Sequence, residues 1–134
     1  MTIDHVAIWT NDLDRLTEYY VKFYSGLAGE IYSNEENHFK SCFLTFNSGA
    51  RLELMQRAGI PENLNDTIEK QHQGLIHLAF SVNSMDEVSE KANELGENGF
   101  RILRGPRRTG DGYYEFETLD PDNNRIEVST RFVE

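Results

Sequence analysis

His5 and His77 stand in nearly the same local sequence. Ile3-Asp4-His5-Val6-Ala7-Ile8 is echoed by Leu75-Ile76-His77-Leu78-Ala79-Phe80, 72 residues later (77 − 5). The same offset carries Asn11 onto Asn83, Asp14 onto Asp86 and Glu18 onto Glu90. Each half then closes on a strand-like run with a glutamate, Arg51-Leu52-Glu53-Leu54 and Arg125-Ile126-Glu127-Val128. Taken singly, a glutamate on the polar face of a strand is usually just solvated. A histidine in an apolar strand is usually a core residue bonded to backbone. The repeat changes that balance, because it supplies two imidazoles and two carboxylates at matched positions. Such a nitrogen and oxygen donor set suits Zn²⁺, Ni²⁺, Co²⁺, Fe²⁺ or Mn²⁺. With water completing the shell, the ion keeps open positions for a substrate. His38 and His72 have no repeat partner, lie in polar runs and read as surface residues.

The elements that must position these residues are legible. Residues 3–10 read as a strand that is mostly apolar on both faces. Asn11 is the expected helix cap, followed by Leu13, Leu16, Tyr20, Phe23 and Leu27 at helical spacing, with Gly26 and Gly29 bracketing the stop. Ile31–Ser33, Phe39–Phe46 and Arg51–Gln56 are strands, the last two joined by the Asn47-Ser48-Gly49 turn. The second half repeats the order. Leu75–Val82 is a strand, Ser84 and Glu87 make a capping box, and Met85, Val88, Ala92 and Leu95 form the stripe of a helix ending near Gly96 or Gly99. Phe100–Leu103, Tyr113–Thr118 and Arg125–Thr130 are strands, with a turn at Asp120-Pro121-Asp122-Asn123-Asn124 before the last. The fold class is therefore α+β: two βαβββ modules whose curved mixed sheets form a concave metal or ligand site. We expect one domain over 1–134, made of a first module 1–56, a linker 57–74 with a short helix around Leu64–Gln71, and a second module 75–134. Alternation places His5 with Ala7 and Trp9, and Glu53 with Arg51 and Met55, on the face opposite Leu52 and Leu54.

Composition narrows the function. Thirteen Lys and Arg against 23 Asp and Glu leave a net charge of −10 and a pI near 4.8. That surface repels phosphate backbones and anionic bilayers, so neither nucleic acid nor membrane is an expected partner. No signal peptide or membrane span is visible. The single Cys42 excludes an internal disulfide and suits the cytoplasm; its alternating surroundings read as a buried strand rather than a nucleophile.

On Asp4-His5-Val6-Ala7-Ile8, Gly74-Leu75-Ile76-His77-Leu78-Ala79-Phe80-Ser81-Val82 and Asp120-Pro121-Asp122-Asn123-Asn124-Arg125-Ile126-Glu127, the chain resembles the vicinal oxygen chelate superfamily from Ile3 to about Thr130. That superfamily holds glyoxalase I, bleomycin-resistance proteins, fosfomycin-resistance thiol transferases and extradiol dioxygenases. The order His5, Glu53, His77, Glu127 is similar to the glyoxalase I ligand pattern, and the length to short bacterial glyoxalases. The resemblance implies a divalent metal (Ni²⁺, Co²⁺ or Zn²⁺) and a lyase that isomerises the hemithioacetal of a 2-oxoaldehyde through an enediolate. It implies Glu127 or Glu53 as the base, Glu127 being favoured by analogy, and a homodimer. Where short bacterial glyoxalases commonly carry Arg and Asn for glutathione, this chain has Trp9 and Arg57, which points to a different small thiol or substrate. Other superfamily activities (epimerase, thiol transferase, dioxygenase) and a non-catalytic drug-binding or metabolite-binding resistance protein are the alternatives.

Arg101, Arg104, Arg107 and Arg108 crowd into eight positions before Thr109-Gly110-Asp111-Gly112-Tyr113. They read either as a solvated loop balanced by nearby acids or as a mobile loop whose guanidinium forks capture a substrate anion. Trp9, Arg107, Arg108 and Tyr113 are the candidate substrate-binding residues for a small molecule.

Overall fold

A computed structural model describes residues 1–63 and 68–132. The chain divides into two compact units, Met1–Asn63 and Leu64–Glu134.

In the first unit, β1 (His5–Thr10) leads to α1 (Leu13–Tyr24), then β2 (Leu27–Ala28), β3 (Tyr32–Asn34), β4 (Phe39–Thr45) and β5 (Arg51–Arg57). The helix cap is Asp12 rather than Asn11: its carboxylate accepts the Arg15 N–H at 3.0 Å. Leu13, Leu16, Tyr20 and Phe23 are buried at helical spacing. Ser25, not a glycine, takes the left-handed cap at φ 56°. β2 is a strand that the residue pattern does not announce. It continues the ladder of β3 along β4, bridged where the Gly29 N–H donates to the Phe43 carbonyl at 2.8 Å. The sheet order is β1-β5-β4-β2, with β3 also beside β4, and β1 runs parallel to β5. α1 packs on the face that carries Cys42, Leu44, Leu52 and Leu54, all buried.

In the second unit, β6 (His77–Ser81) leads to α2 (Met85–Glu97), then β7 (Ile102–Arg108), β8 (Tyr113–Leu119) and β9 (Arg125–Arg131). The Ser84 hydroxyl accepts the Glu87 N–H at 3.1 Å, and the Glu87 carboxylate accepts the Asn83 N–H at 3.1 Å, so the capping box closes. Val88, Ala92 and Leu95 bury α2 against β8 and β9, where Phe116, Ile126 and Val128 are also buried. The order is β6-β9-β8-β7, with β6 parallel to β9. Both sheets are thus mixed and curved, in the α+β class expected.

Leu27, expected on the helical stripe of α1, instead opens β2 and is exposed. Three further expectations are corrected. Of the helix around Leu64–Gln71, residues 64–67 lie outside the described residues, and 68–71 form a turn and irregular chain. The strand expected at Phe100–Leu103 is instead β7 and runs on through Gly105-Pro106, which are joined by a cis peptide. Proline is tolerated because β7, among the described residues, is an edge strand paired with β8 alone. Arg104, Arg107 and Arg108 consequently sit in a strand and not in a mobile loop. Among the described residues no helix is long and apolar enough to cross a membrane.

Candidate metal centre

Parallel pairing sets the first half of the site. β1 and β5 align His5 with Arg51 and Ala7 with Glu53, so His5 and Glu53 are diagonal neighbours on the face away from α1. His5 Nε2 lies 3.5 Å from Glu53 Oε2. Its other nitrogen, Nδ1, meets Asp4 Oδ2 at 2.7 Å, and Arg51 grips the same oxygen at 2.7 Å. These contacts, first His5 and then Arg51, hold the Asp4 carboxyl below its ordinary pKa. Phe43, opposite Glu53 on β4, sets its ring edge-on to His5 with centroids 5.4 Å apart.

The second unit repeats the construction. His77 aligns with Arg125 and Ala79 with Glu127 in parallel register. His77 Nε2 lies 3.5 Å from Glu127 Oε2, the same separation by the same diagonal. Here, however, β8 contributes Glu117, directly opposite Glu127. Its Oε1 is 4.0 Å from His77 Nδ1 and its Oε2 is 3.4 Å from Arg104 Nε. His77, Glu117 and Glu127 each offer a ligand atom, all within 4.8 Å of one another.

The donors fit a divalent ion. Two ligands about 2.1 Å from one ion at a tetrahedral angle stand roughly 3.4 Å apart. Each His–Glu pair is separated by 3.5 Å. The carboxylates of Glu117 and Glu127, both shielded from water, have ligand oxygens within 4.8 Å of each other and repel by about 3 kcal/mol at an effective dielectric near 20. A cation relieves that repulsion. Burial above all pushes the Glu127 carboxyl up from 4.5; Glu115 adds to this, His77 opposes it, and Glu117 adds again.

Glycine chemistry explains how two arginines reach this face. Arg104 pairs with Glu117 and Arg107 with Glu115 in register, so three steps along β7 match two along β8. In a regular strand residues three apart point to opposite faces; the bulge restores both to one face. Gly105 sits in the bulge at φ 83°, and a Cβ there would lie 2.5 Å from the Glu115 carbonyl oxygen. Arg107 reaches Glu115 at 3.1 Å. Arg108 lies over the Phe132 ring at 4.7 Å, and Arg131 over the Tyr113 ring at 5.5 Å. Arg101, outside the strand, pairs with Glu69 at 3.4 Å. Nearby acids and rings therefore engage the arginine cluster.

Trp9, 40% exposed, continues the His5 face. Arg57 lies over its ring at 5.4 Å, and Phe39 meets it edge-on at 6.1 Å. The two positions where this chain departs from the glutathione pattern thus contact each other. Cys42 is buried, and burial raises its thiol pKa. Sequence reasoning missed Glu117, although the repeat could have found it: Phe43 and Glu117 stand 10 residues before Glu53 and Glu127 (53 − 43, 127 − 117).

The family model for the glyoxalase/bleomycin resistance protein/dioxygenase superfamily matches residues 2–128. The chain is 30% identical to the uncharacterised protein YwkD of Bacillus subtilis (strain 168) over 128 residues, covering 95% of this chain and 94% of that one. It is 38% identical to the uncharacterised protein YqjT of the same organism over 58 residues, a match that spans 41% of this chain and less than half of the relative, 45%. Among solved structures, the trypanothione-dependent glyoxalase I of Leishmania major superposes with a TM-score of 0.73 at 21% identity, covering 96% of this chain and 85% of that one.

Proposed function

Because the chain belongs to the glyoxalase/bleomycin resistance protein/dioxygenase superfamily, we propose that it is a divalent-metal-dependent lyase or isomerase of the glyoxalase I type. Its substrate is the hemithioacetal of a 2-oxoaldehyde with a small thiol. His5, Glu53, His77 and Glu127 supply the ligands, a set carried over from the family resemblance. The observation that carries the reading is the duplicated His–Glu pair, built twice by the same parallel register at the same 3.5 Å. A divalent ion held by these residues would supply Lewis acidity to the substrate oxygens. A carboxylate removes the proton from the carbon bearing sulfur and returns it to the neighbouring carbon, converting hemithioacetal to thioester without net oxidation. Glu127 is our choice for that base. Its raised pKa marks a carboxylate that holds a proton more readily than an ordinary glutamate.

Trp9, Arg57 and Phe39 support a thiol other than glutathione. An indole face with a guanidinium over it suits an apolar or aromatic arm that ends in an anion. The same cluster favours a second reading, a non-catalytic module that binds a planar drug or metabolite. The two readings part in one assay. Protein stripped of metal is reloaded with Ni²⁺, Co²⁺ or Zn²⁺ and given methylglyoxal with a panel of low-molecular-weight thiols. Metal-dependent thioester formation, lost in Glu127→Gln, is the expected result. No turnover with any metal and thiol, together with metal-independent binding of planar ligands, would establish the second reading instead. In line with the superfamily's short members, we propose a homodimer whose sites draw ligands from two chains.

A further inference from the structure

Resting on the metal reading above, we propose that the second unit is a metal site in its own right: Glu117 joins His77 and Glu127 as a third ligand, and this unit takes a divalent cation without any residue of the first. The four ligands carried over from the family resemblance do not include Glu117. One imidazole nitrogen of His77, one oxygen of Glu117 and one oxygen of Glu127 all lie within 4.8 Å of one another. Donors about 2.1 Å from a common ion stand roughly 3.0 Å apart at a right angle and 3.4 Å apart at a tetrahedral one. His77 Nε2 and Glu127 Oε2 are already at 3.5 Å. The broad terminal torsion of a glutamate lets the Glu117 carboxylate turn through the remainder.

The burial of Glu117 calls for a cation. The residue is only 7% exposed, and its Oε2 has no hydrogen-bond partner. Arg104 Nε stands 3.4 Å from that oxygen, an ion pair on the side away from the ring that Oε1 faces. Two carboxylates withdrawn from water side by side are costly to keep charged, and a shared ion offsets that cost. Glu115, on the same strand, is held by Arg107 at 3.1 Å and so is engaged elsewhere.

The first unit lacks the third donor. Phe43 stands opposite Glu53 on β4, where β8 places Glu117 opposite Glu127. The other carboxylate near His5 is Asp4, whose Oδ2 is gripped by Arg51 at 2.7 Å and meets His5 Nδ1 at 2.7 Å. The His5 nitrogen turned toward Glu53 is Nε2. The duplicated scaffold thus offers two donors on one unit and three on the other. One nitrogen and two oxygens suit a first-row divalent ion and leave coordination positions open to water.

The test measures metal and needs no turnover. The full chain carrying both His5→Ala and Glu53→Gln keeps only the second unit's donors. Titrated with Co²⁺, it should bind about one ion per chain, develop visible Co²⁺ absorption and lose the His77 imidazole signal to paramagnetic broadening. Adding Glu117→Leu to that chain should weaken binding by roughly 100-fold, because a full charge leaves the ion's neighbourhood. Glu117→Gln removes the same charge at nearly the same volume and serves if the leucine variant does not fold. The reciprocal chain, His77→Ala with Glu127→Gln, should bind Co²⁺ far more weakly than the first. A His5→Ala, Glu53→Gln chain that binds no Co²⁺ while the parent does overturns the proposal and leaves the four-ligand reading standing. Equal affinity with and without the Glu117 carboxylate also overturns it, as does equal binding by the reciprocal chain. Co²⁺ held by the second unit as described, in a parent that shows no lyase turnover, upholds the proposal and removes the lyase reading. A parent that binds no Co²⁺ overturns both.

Discussion

Replacing Glu127 with Gln should stabilise the metal-free protein while disabling it. Glu127 is largely buried and lies within 4.8 Å of the Glu117 donor atom, so its charge meets about 3 kcal/mol of repulsion at an effective dielectric near 20. Arg104 at 3.4 Å from Glu117 cancels part of this. We expect a net gain of about 1–2 kcal/mol for the neutral, near-isosteric amide, or roughly 3–10 °C in melting temperature for a chain of this size. The pH dependence follows from the direction of the shift. The folded carboxyl has a pKa raised from 4.5, so between 4.5 and that higher value the folded state binds more protons than the unfolded one. Parental stability therefore falls as pH rises through this window, whereas that of Glu127→Gln does not. The two melting curves should coincide below pH 4.5, diverge through the window and stay apart above it. Metal should reverse the order, because an ion at 100 times its dissociation constant stabilises the parent by about 2.7 kcal/mol and binds the variant more weakly. The assay is thermal melting with chelator and then with Co²⁺, across pH 4 to 8. A Glu127→Gln variant less stable than the parent with chelator at every pH would show that the carboxylate is a net stabiliser in its place, and would refute the electrostatic argument.

Gly105→Ala should destabilise the second unit by roughly 2 kcal/mol or more. The new Cβ would lie 2.5 Å from a backbone oxygen at a residue with φ 83°, and chemical denaturation measures the loss. Because the bulge also aims Arg104 at Glu117, Co²⁺ affinity should fall in the same variant under conditions where it remains folded. Mixing His5→Ala with His77→Ala protein, each inactive alone, should partly restore turnover if ligands from two chains complete one site; mixtures that stay inactive, or sedimentation as a monomer, would exclude the shared-site dimer.

Much of this protein was legible in the chain itself. The 72-residue echo of His5 in His77 implied a duplicated βαβββ module. Alternation in Arg51-Leu52-Glu53-Leu54 and Arg125-Ile126-Glu127-Val128 separated a core face from a polar face, because a strand's side chains can only alternate. The capping box at Ser84 and Glu87 and the turn at Asp120–Asn124 were equally local, since the residues that form them lie within four positions of one another. Other features depended on contacts between distant segments. The α1 cap moved from Asn11 to Asp12, and the two-residue β2 appeared only as a partner of β4. Gly105-Pro106 reads as a strand breaker, yet β7 continues through it because, among the described residues, this edge strand pairs with β8 alone. Glu117 was one acid among 23 in the sequence. Cross-strand register put it opposite Glu127, turned it toward His77 and set Arg104 behind it. Periodicity assigns a residue to a face, but pairing between strands remote in sequence decides which residues on that face meet.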